Sequence, residues 1–158
     1  MSDIKEEVAL ALGHIPTGLF VISSITDNIP DAYLASWMQQ ISFEPLLISF
    51  AIKKDRPGYN GVISGNPFTI NIVAEESSQY MRHFWSGYEK NPFSEIKHTI
   101  SKNGGLIITE ALSTIECKFI SKSSPGDHEI IVAEVFASYV NNESFTPKVH
   151  TRKSGLKY

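Results

Sequence analysis

A single cysteine, Cys117, occurs in the 158 residues, so no internal disulfide can staple the chain. The small secreted scaffolds that depend on such bridges are thereby excluded. Excess basic charge is also missing. Fourteen Lys and Arg stand against 17 Asp and Glu, a formal net charge of −3, too acidic for a protein whose main partner is a nucleic-acid backbone. The longest apolar run, Leu46 to Ile52, falls far short of the ~20 residues a spanning helix needs, so no membrane segment is expected. The opening Met1-Ser2-Asp3-Ile4-Lys5-Glu6-Glu7 lacks a basic stretch followed by an apolar one and does not read as a leader. With the lone cysteine, it points to a cytoplasmic protein. No G-x-G-x-x-G, P-loop or G-x-S-x-G elbow is found, and His14, His83, His98, His128 and His150 never fall at metal-ligand spacing. Zinc and hydrolase chemistry therefore have no support. Glu6-Glu7 and Glu75-Glu76 sit where helices are expected to begin, and placement at the positive end of a helix dipole explains them better than acid/base work.

What is present is a globular, strand-rich pattern. With 42% hydrophobic residues, a chain of this length can bury ~68–70% of the surface its unfolded form exposes. Asp3 and Glu6 form a capping-box pattern ahead of Ile4, Val8, Ala11 and Leu12, which predicts a first helix packing one face on the body and stopping at Gly13 and Pro16. Short β-rich runs follow. Leu19 to Ile22 and Ala32 to Ala35, separated by Thr26-Asp27-Asn28, predict a hairpin; Leu46 to Ile52 and Phe68 to Val73 predict buried strands, with a short helical turn opened by Asp55-Arg56-Pro57 between them. Met81, Phe84 and Trp85 fall close to one side of a second helix expected over 75–87, its other side carrying Gln79, Arg82 and Ser86. Residues 88–105 read as a long loop with little structure of its own. Ile115, Cys117 and Phe119 then alternate with Thr114, Glu116 and Lys118, and after the turn Ser123 to Asp127 a long strand, His128 to Tyr139, pairs back antiparallel. One domain over 1–158 with six to eight antiparallel strands and two short helices is expected. A closed or nearly closed barrel solves the edge problem of that many strands.

Two segments suit chemistry. In Ile52-Lys53-Lys54-Asp55-Arg56, cations leave the end of a buried strand and enter a helical turn, where charge and backbone N–H groups can converge on a phosphate; a solvated basic turn fits the same residues. In Ala35-Ser36-Trp37-Met38-Gln39-Gln40-Ile41-Ser42, hydroxyl, amide and aromatic groups follow a strand, which suits a planar heteroaromatic ligand with a polar rim; an ordinary connection with Trp37 in the core fits equally.

The ordered series Gly13-His14-Ile15-Pro16-Thr17-Gly18, Leu34-Ala35-Ser36-Trp37, Ser42-Phe43-Glu44-Pro45, Phe68 to Ile72, Ile115-Glu116-Cys117 and Gly126-Asp127-His128 resembles the flavin reductase-like, FMN-binding split-barrel family over nearly the whole chain. Lys54-Asp55-Arg56 and the ending His150 to Tyr158 bring it nearest to the reductase module at the C-terminus of cyanobacterial flavodiiron proteins. Here the module is expected to stand alone, so the oxygen- or NO-reducing chemistry of those larger proteins is not carried over. The resemblance implies a split barrel, a homodimer and FMN, rather than FAD, in a cleft near the subunit interface. It places Ala35, Ser36 and Trp37 along the isoalloxazine, continues that wall through Gln40, Ile41 and Ser42, and sets Lys53, Lys54 and Arg56 on the ribityl phosphate, with Asp55 as a turn cap. His128 resembles the family histidine beside the flavin and the nicotinamide site, and an imidazole that can change charge near neutral pH suits that place. Arg152 or Lys153 adds charge toward flavin or dinucleotide, and Asn71 braces a neighbouring loop.

The activity so implied is an NAD(P)H-dependent flavin reductase with hydride delivered to flavin N5 and electrons passing on as reduced flavin or to a redox partner protein. Two other readings stay open: a flavin-binding electron carrier or redox sensor, with Tyr88 to Phe93 blocking the dinucleotide path, and a structural protein that has lost flavin.

Overall fold

The computed structural model describes residues 2–76, 80–85 and 91–157. The first helix, α1 (Ser2–Gly13), leads into a run of short strands. Strands β2 (Phe20–Thr26) and β3 (Ile29–Ala35) form the expected hairpin. Its two-residue turn has Asp27 and Asn28 both at positive φ, 51° and 64°, the backbone that matches strand twist and that Asp and Asn tolerate best after glycine.

Strand β4 (Met38–Ser42) lies before β5 (Leu47–Ile52), and β6 (Phe68–Ile72), β9 (Ser113–Ser123) and β10 (Glu129–Val140) complete an antiparallel seven-stranded sheet in the order β3-β2-β6-β9-β10-β5-β4. The two edges of this sheet, β3 and β4, are consecutive in sequence and separated only by Ser36 and Trp37. A two-residue link can span the edges only if the sheet curls until they meet there. The curl is helped by irregular register between β9 and β10 at Val132/Ala133 and Val135/Ala137, since an extra residue on one strand bends and twists the pair. This is the split barrel: curled round, with its edges meeting at one end.

Residues facing inward, among them Ile22, Phe50, Ile52, Phe68, Ile70 and Ile131, fill the barrel, and α2 (Tyr59–Ile63) adds Tyr59 and Val62 to that core. Because side chains alternate along a strand, Val21 and Ala32 face outward, where they are buried by Tyr80, Phe84, Phe93, Leu106 and Ile108. Asn71 braces this second layer as expected: its Oδ1 accepts from the Ile108 N–H and the Thr114 hydroxyl, both at 2.8 Å, and its Nδ2 donates to the Leu106 carbonyl at 3.1 Å.

Several expectations are corrected. β4 is a strand rather than a connection; its mostly exposed side chains on an edge strand carry little hydrophobic pattern. The 88–105 stretch is not structureless, since β7 (His98–Ile100) pairs with β8 (Leu106–Ile108) as a small hairpin pinned by Asn71. Glu75 and Glu76 are not themselves helical, and residues 77–79 after them lie outside the described residues. The Glu75 N–H donates to the Thr146 carbonyl, its carboxylate pairs with Lys148, and the Glu76 carboxylate accepts from the Thr146 N–H. The helical part described there is α3 (Met81–Trp85). Gln79, Ser86, Tyr88 and Tyr158 lie outside the described residues. α1 has the expected span, yet Ile4, Val8, Leu10 and Leu12 remain exposed, because the helix meets the body only at its last turn. Two-residue strands β1 (Thr17–Gly18) and β11 (Val149–His150) pair beside that turn. Among the described residues no helix is long and apolar enough to cross a membrane, and no group of His, Cys, Asp and Glu side chains is placed to hold a metal.

Candidate functional site

Where the sheet edges meet, a cleft opens. One wall comes from the end of β3 and the link after it, with Leu34, Ala35, Ser36 and Trp37. Ala51, Ile52, Lys53 and Arg56 supply the neighbouring side, carried out of the barrel by β5 and its following turn. Phe84 and Trp85 of α3 and His150 of β11, from other parts of the chain, supply a second wall. The cleft is shallow: its cavity volume is about 80 Å³, below the ~300–1,000 Å³ usual for small-molecule sites.

The cationic side is anchored by a buried carboxylate. Glu129, 3% exposed, accepts the Tyr59 hydroxyl, Lys122 Nζ at 3.1 Å, the Ser124 hydroxyl at 3.0 Å and Lys54 Nζ at 3.3 Å. The Tyr59 hydrogen bond first, then those from Lys122, Ser124 and Lys54, hold its carboxyl down at about 2 against the ordinary 4.5. The turn carrying Lys53 and Arg56 is thereby tied to the start of β10. The turn is capped from β3, since Asp31 Oδ2 accepts the Gly58 N–H at 2.7 Å. Lys53 faces Asp127 at 3.8 Å.

Trp37 is the hinge of the geometry. Its ring centroid lies 4.8 Å from that of His128 and 5.0 Å from the Arg152 guanidinium, the second contact in the range where a cation is attracted to an indole face. His128 Nδ1 is hydrogen-bonded to Asp127 Oδ1 at 2.8 Å. The His128 bond and then Lys53 keep the Asp127 carboxyl below the usual carboxylate range. Also in the lining, His150 stands edge-on to Trp85 at 6.3 Å. Burial, then Arg152 and Lys148, lower its pKa from 6.5, so it is neutral at pH 7.

Of the residues singled out in the sequence, the cleft brings together Ala35, Ser36, Trp37, Lys53 and Arg56, and His128 adjoins through Trp37. Lys54 turns toward Glu129 instead. Gln40, Ile41 and Ser42 run along edge strand β4, where Gln40 borders a separate apolar hollow with Phe20, Met38, Leu46 and Ile72, and Ile41 is exposed. Phe84, Trp85 and His150 were not among the expected site residues. Phe84 and Trp85 read as the packing side of a helix, and nothing in the local pattern around His150 joins it to residues more than a hundred positions earlier.

Comparisons with known proteins agree with this architecture. The family described as flavin reductase like domain matches residues 12–155. A diflavin flavoprotein A 1 of Synechocystis sp. is 31% identical over 161 aligned positions, which take in 100% of this chain but only 28% of that protein's length. An NADH:FAD oxidoreductase of Streptomyces globisporus, solved with NAD and FAD fragments, superposes with a TM-score of 0.82 at 19% identity, covering 91% of this chain and 86% of the other. The flavin reductase HpaC, solved with NADP+, superposes with a TM-score of 0.81 at 23% identity over 97% and 95% of the two chains.

Proposed function

This chain belongs to the flavin reductase-like domain family, and from that premise we propose that it is an NAD(P)H:flavin oxidoreductase that binds FMN in preference to FAD. The observation that carries the reading is the make-up of the cleft: a tryptophan face and a serine hydroxyl beside two cations on a rigid turn, with aromatic side chains on the other wall. That set fits a planar heteroaromatic ring with an anionic tail.

Bound there, the flavin supplies the hydride-accepting chemistry at N5, for which NADH or NADPH is the donor. The chain's own residues bind and orient. Trp37 and Ala35 lie along the ring and Ser36 offers a hydroxyl to its rim. Lys53 and Arg56 hold the phosphate, and Lys54 supports them by pairing with Glu129. Gln40, Ile41 and Ser42, on an open edge strand, continue the wall in a homodimer whose subunits meet near the cleft. His128 is the catalytic residue in this reading, an imidazole set beside Trp37 and bonded to Asp127 that faces the nicotinamide. Electrons leave as reduced flavin or pass to a redox partner in the cytoplasm. No protein nucleophile is required, since positioning two reactants face to face supplies most of what hydride transfer needs.

The test is anaerobic stopped-flow mixing of FMN-loaded protein with NADH or NADPH, following bleaching of the flavin. Fast bleaching is expected, slowed in His128→Ala more than FMN affinity is weakened. An unchanged single-turnover rate in that variant removes His128 from catalysis. Bound flavin that stays oxidised with both nucleotides would make the protein an electron carrier instead.

A further inference from the structure

The C-terminal segment does two things at once. His150 enters the cleft wall and Arg152 lies over Trp37, while the same few residues are laced to α1. The Arg152 N–H donates to the Gly13 carbonyl at 2.9 Å, Arg152 Nη2 reaches the Leu12 carbonyl at 3.4 Å, and the Gly155 N–H donates to the Ala9 carbonyl at 2.5 Å. The bonds to Leu12 and Gly13 satisfy carbonyls in the last turn of α1 that have no partner within the helix, and the Ala9 carbonyl accepts the Gly155 N–H in addition to its helical donor. α1 has no basic residue in its own last turn, so Arg152 brings the cation that a helix C-terminus favours.

The contact leaves no room for a side chain on either strand of it. A Cβ on Gly13 would stand 2.4 Å from the Arg152 carbonyl oxygen, and one on Gly155 would stand 2.1 Å from the Leu12 Cβ and 3.0 Å from the Ala9 carbonyl oxygen. Backbone and the root of a helical side chain cannot move aside as a flexible tip could, so helix and segment would have to part. α1 is otherwise exposed, with Ile4 at 67%, Val8 at 48% and Leu10 at 53%. Among the described residues its long-range hydrogen bonds all run to this segment.

We propose that residues 149–155 form a strap which α1 clamps over the cofactor cleft, and that Gly13 and Gly155 are positioning residues for flavin binding, acting through Arg152 and His150. Arg152 is the link, since one guanidinium both closes the helix end and rests on the tryptophan face. The proposal builds on the flavin reading of the cleft.

The experiment compares wild type, Arg152→Ala, Gly155→Ala and the double variant, with Gly13→Ala as a second way of opening the clamp. FMN affinity is read by flavin fluorescence quenching, and the Trp37 indole N–H resonance is read in the flavin-free protein. Arg152→Ala should weaken FMN binding roughly three- to thirtyfold, Gly155→Ala should weaken it by a similar factor, and the double variant no further than either alone. Both single variants should shift the Trp37 indole resonance the same way without lowering the melting midpoint of the barrel. Wild-type affinity in Gly155→Ala and Gly13→Ala beside a weakened Arg152→Ala would overturn the proposal, as would additive losses in the double variant. If wild type itself fails to bind FMN, the flavin reading fails, while the indole shifts still report whether α1 sets the position of Arg152.

Discussion

The two walls of the cleft are held by different means. The wall made by Ala35–Trp37 and Lys53–Arg56 grows directly out of the barrel: β3 and β5 end in it, and Glu129 binds its cationic turn with donors from Tyr59, Lys122, Ser124 and Lys54. The other wall is hung from outside. Phe84 and Trp85 come from the five-residue α3, and His150 from a two-residue strand next to the last turn of α1. A wall continuous with a closely packed core has few alternatives to its observed position. In the second wall Phe84 is itself packed into the outer hydrophobic layer, whereas Trp85 is exposed and His150 half-buried, so those two can shift at lower cost. Under the proposed reading, recognition of the ring and its anionic tail falls to the first wall and adaptable closure to Trp85 and His150 of the second.

The largest effect should come from breaking the anchor of the first wall. Glu129→Ala leaves Tyr59, Lys122 and Ser124 facing a hole, with two lysines deprived of their buried counter-charge. Loss of the cooperative melt near physiological temperature, or a strongly lowered midpoint, is expected. The milder Glu129→Gln sharpens the point through pH. A native carboxyl lowered from 4.5 to about 2 contributes stability that is fully present above 4.5 and lost as pH falls through about 2. Urea midpoints measured between pH 5 and 2 should therefore fall more steeply in wild type than in Glu129→Gln. Parallel slopes would mean that Glu129 is not what holds the turn.

Next in size is the division of labour among the cations. Arg56→Glu, and Lys53→Glu beside it, should weaken FMN binding by on the order of ten- to a hundredfold, the value of one or two charge-assisted hydrogen bonds. Lys54→Glu should instead lower stability more than affinity, because Lys54 faces Glu129. Isothermal titration with FMN and thermal melts of the three variants separate the two roles. Equal affinity losses in all three would put Lys54 in the cleft.

The same contrast explains what the sequence made legible. The first wall follows the chain: a strand ending in Ala35-Ser36-Trp37 and another ending in Lys53-Lys54-Asp55-Arg56 announce their chemistry locally, and the family series reinforces both. What local pattern could not show was which way Lys54 turns, because that depends on Glu129, about seventy-five residues later. Glu116 makes the same point. It alternates as an outward residue, yet it is fully buried, accepting the Tyr139 hydroxyl at 2.8 Å under the β7–β8 hairpin. The second wall is assembled from segments that only the folded chain brings together, and helical periodicity marked Phe84 and Trp85 as packing residues without saying that they pack beside a cleft.

The smallest expected effect probes the hung wall through one proton. His150 is held neutral by burial first, then by Arg152 and Lys148. Lys148 is itself paired with Glu75, which leaves Arg152 the neighbouring cation most able to act on the ring. Removing it in Arg152→Ala takes away a charge that opposes protonation and loosens the strap that keeps water out, and both changes act in the same direction. His150 should therefore titrate at higher pH in the variant than in wild type, moving back toward 6.5, as read from its ring proton shift. The sign for stability follows: a native histidine whose pKa is lowered binds fewer protons than the unfolded chain, so it costs stability as pH drops below 6.5. That cost should shrink in Arg152→Ala. A His150 titration that stays put or moves lower would show that the strap does not govern the second wall, and the two walls would then be equally rigid.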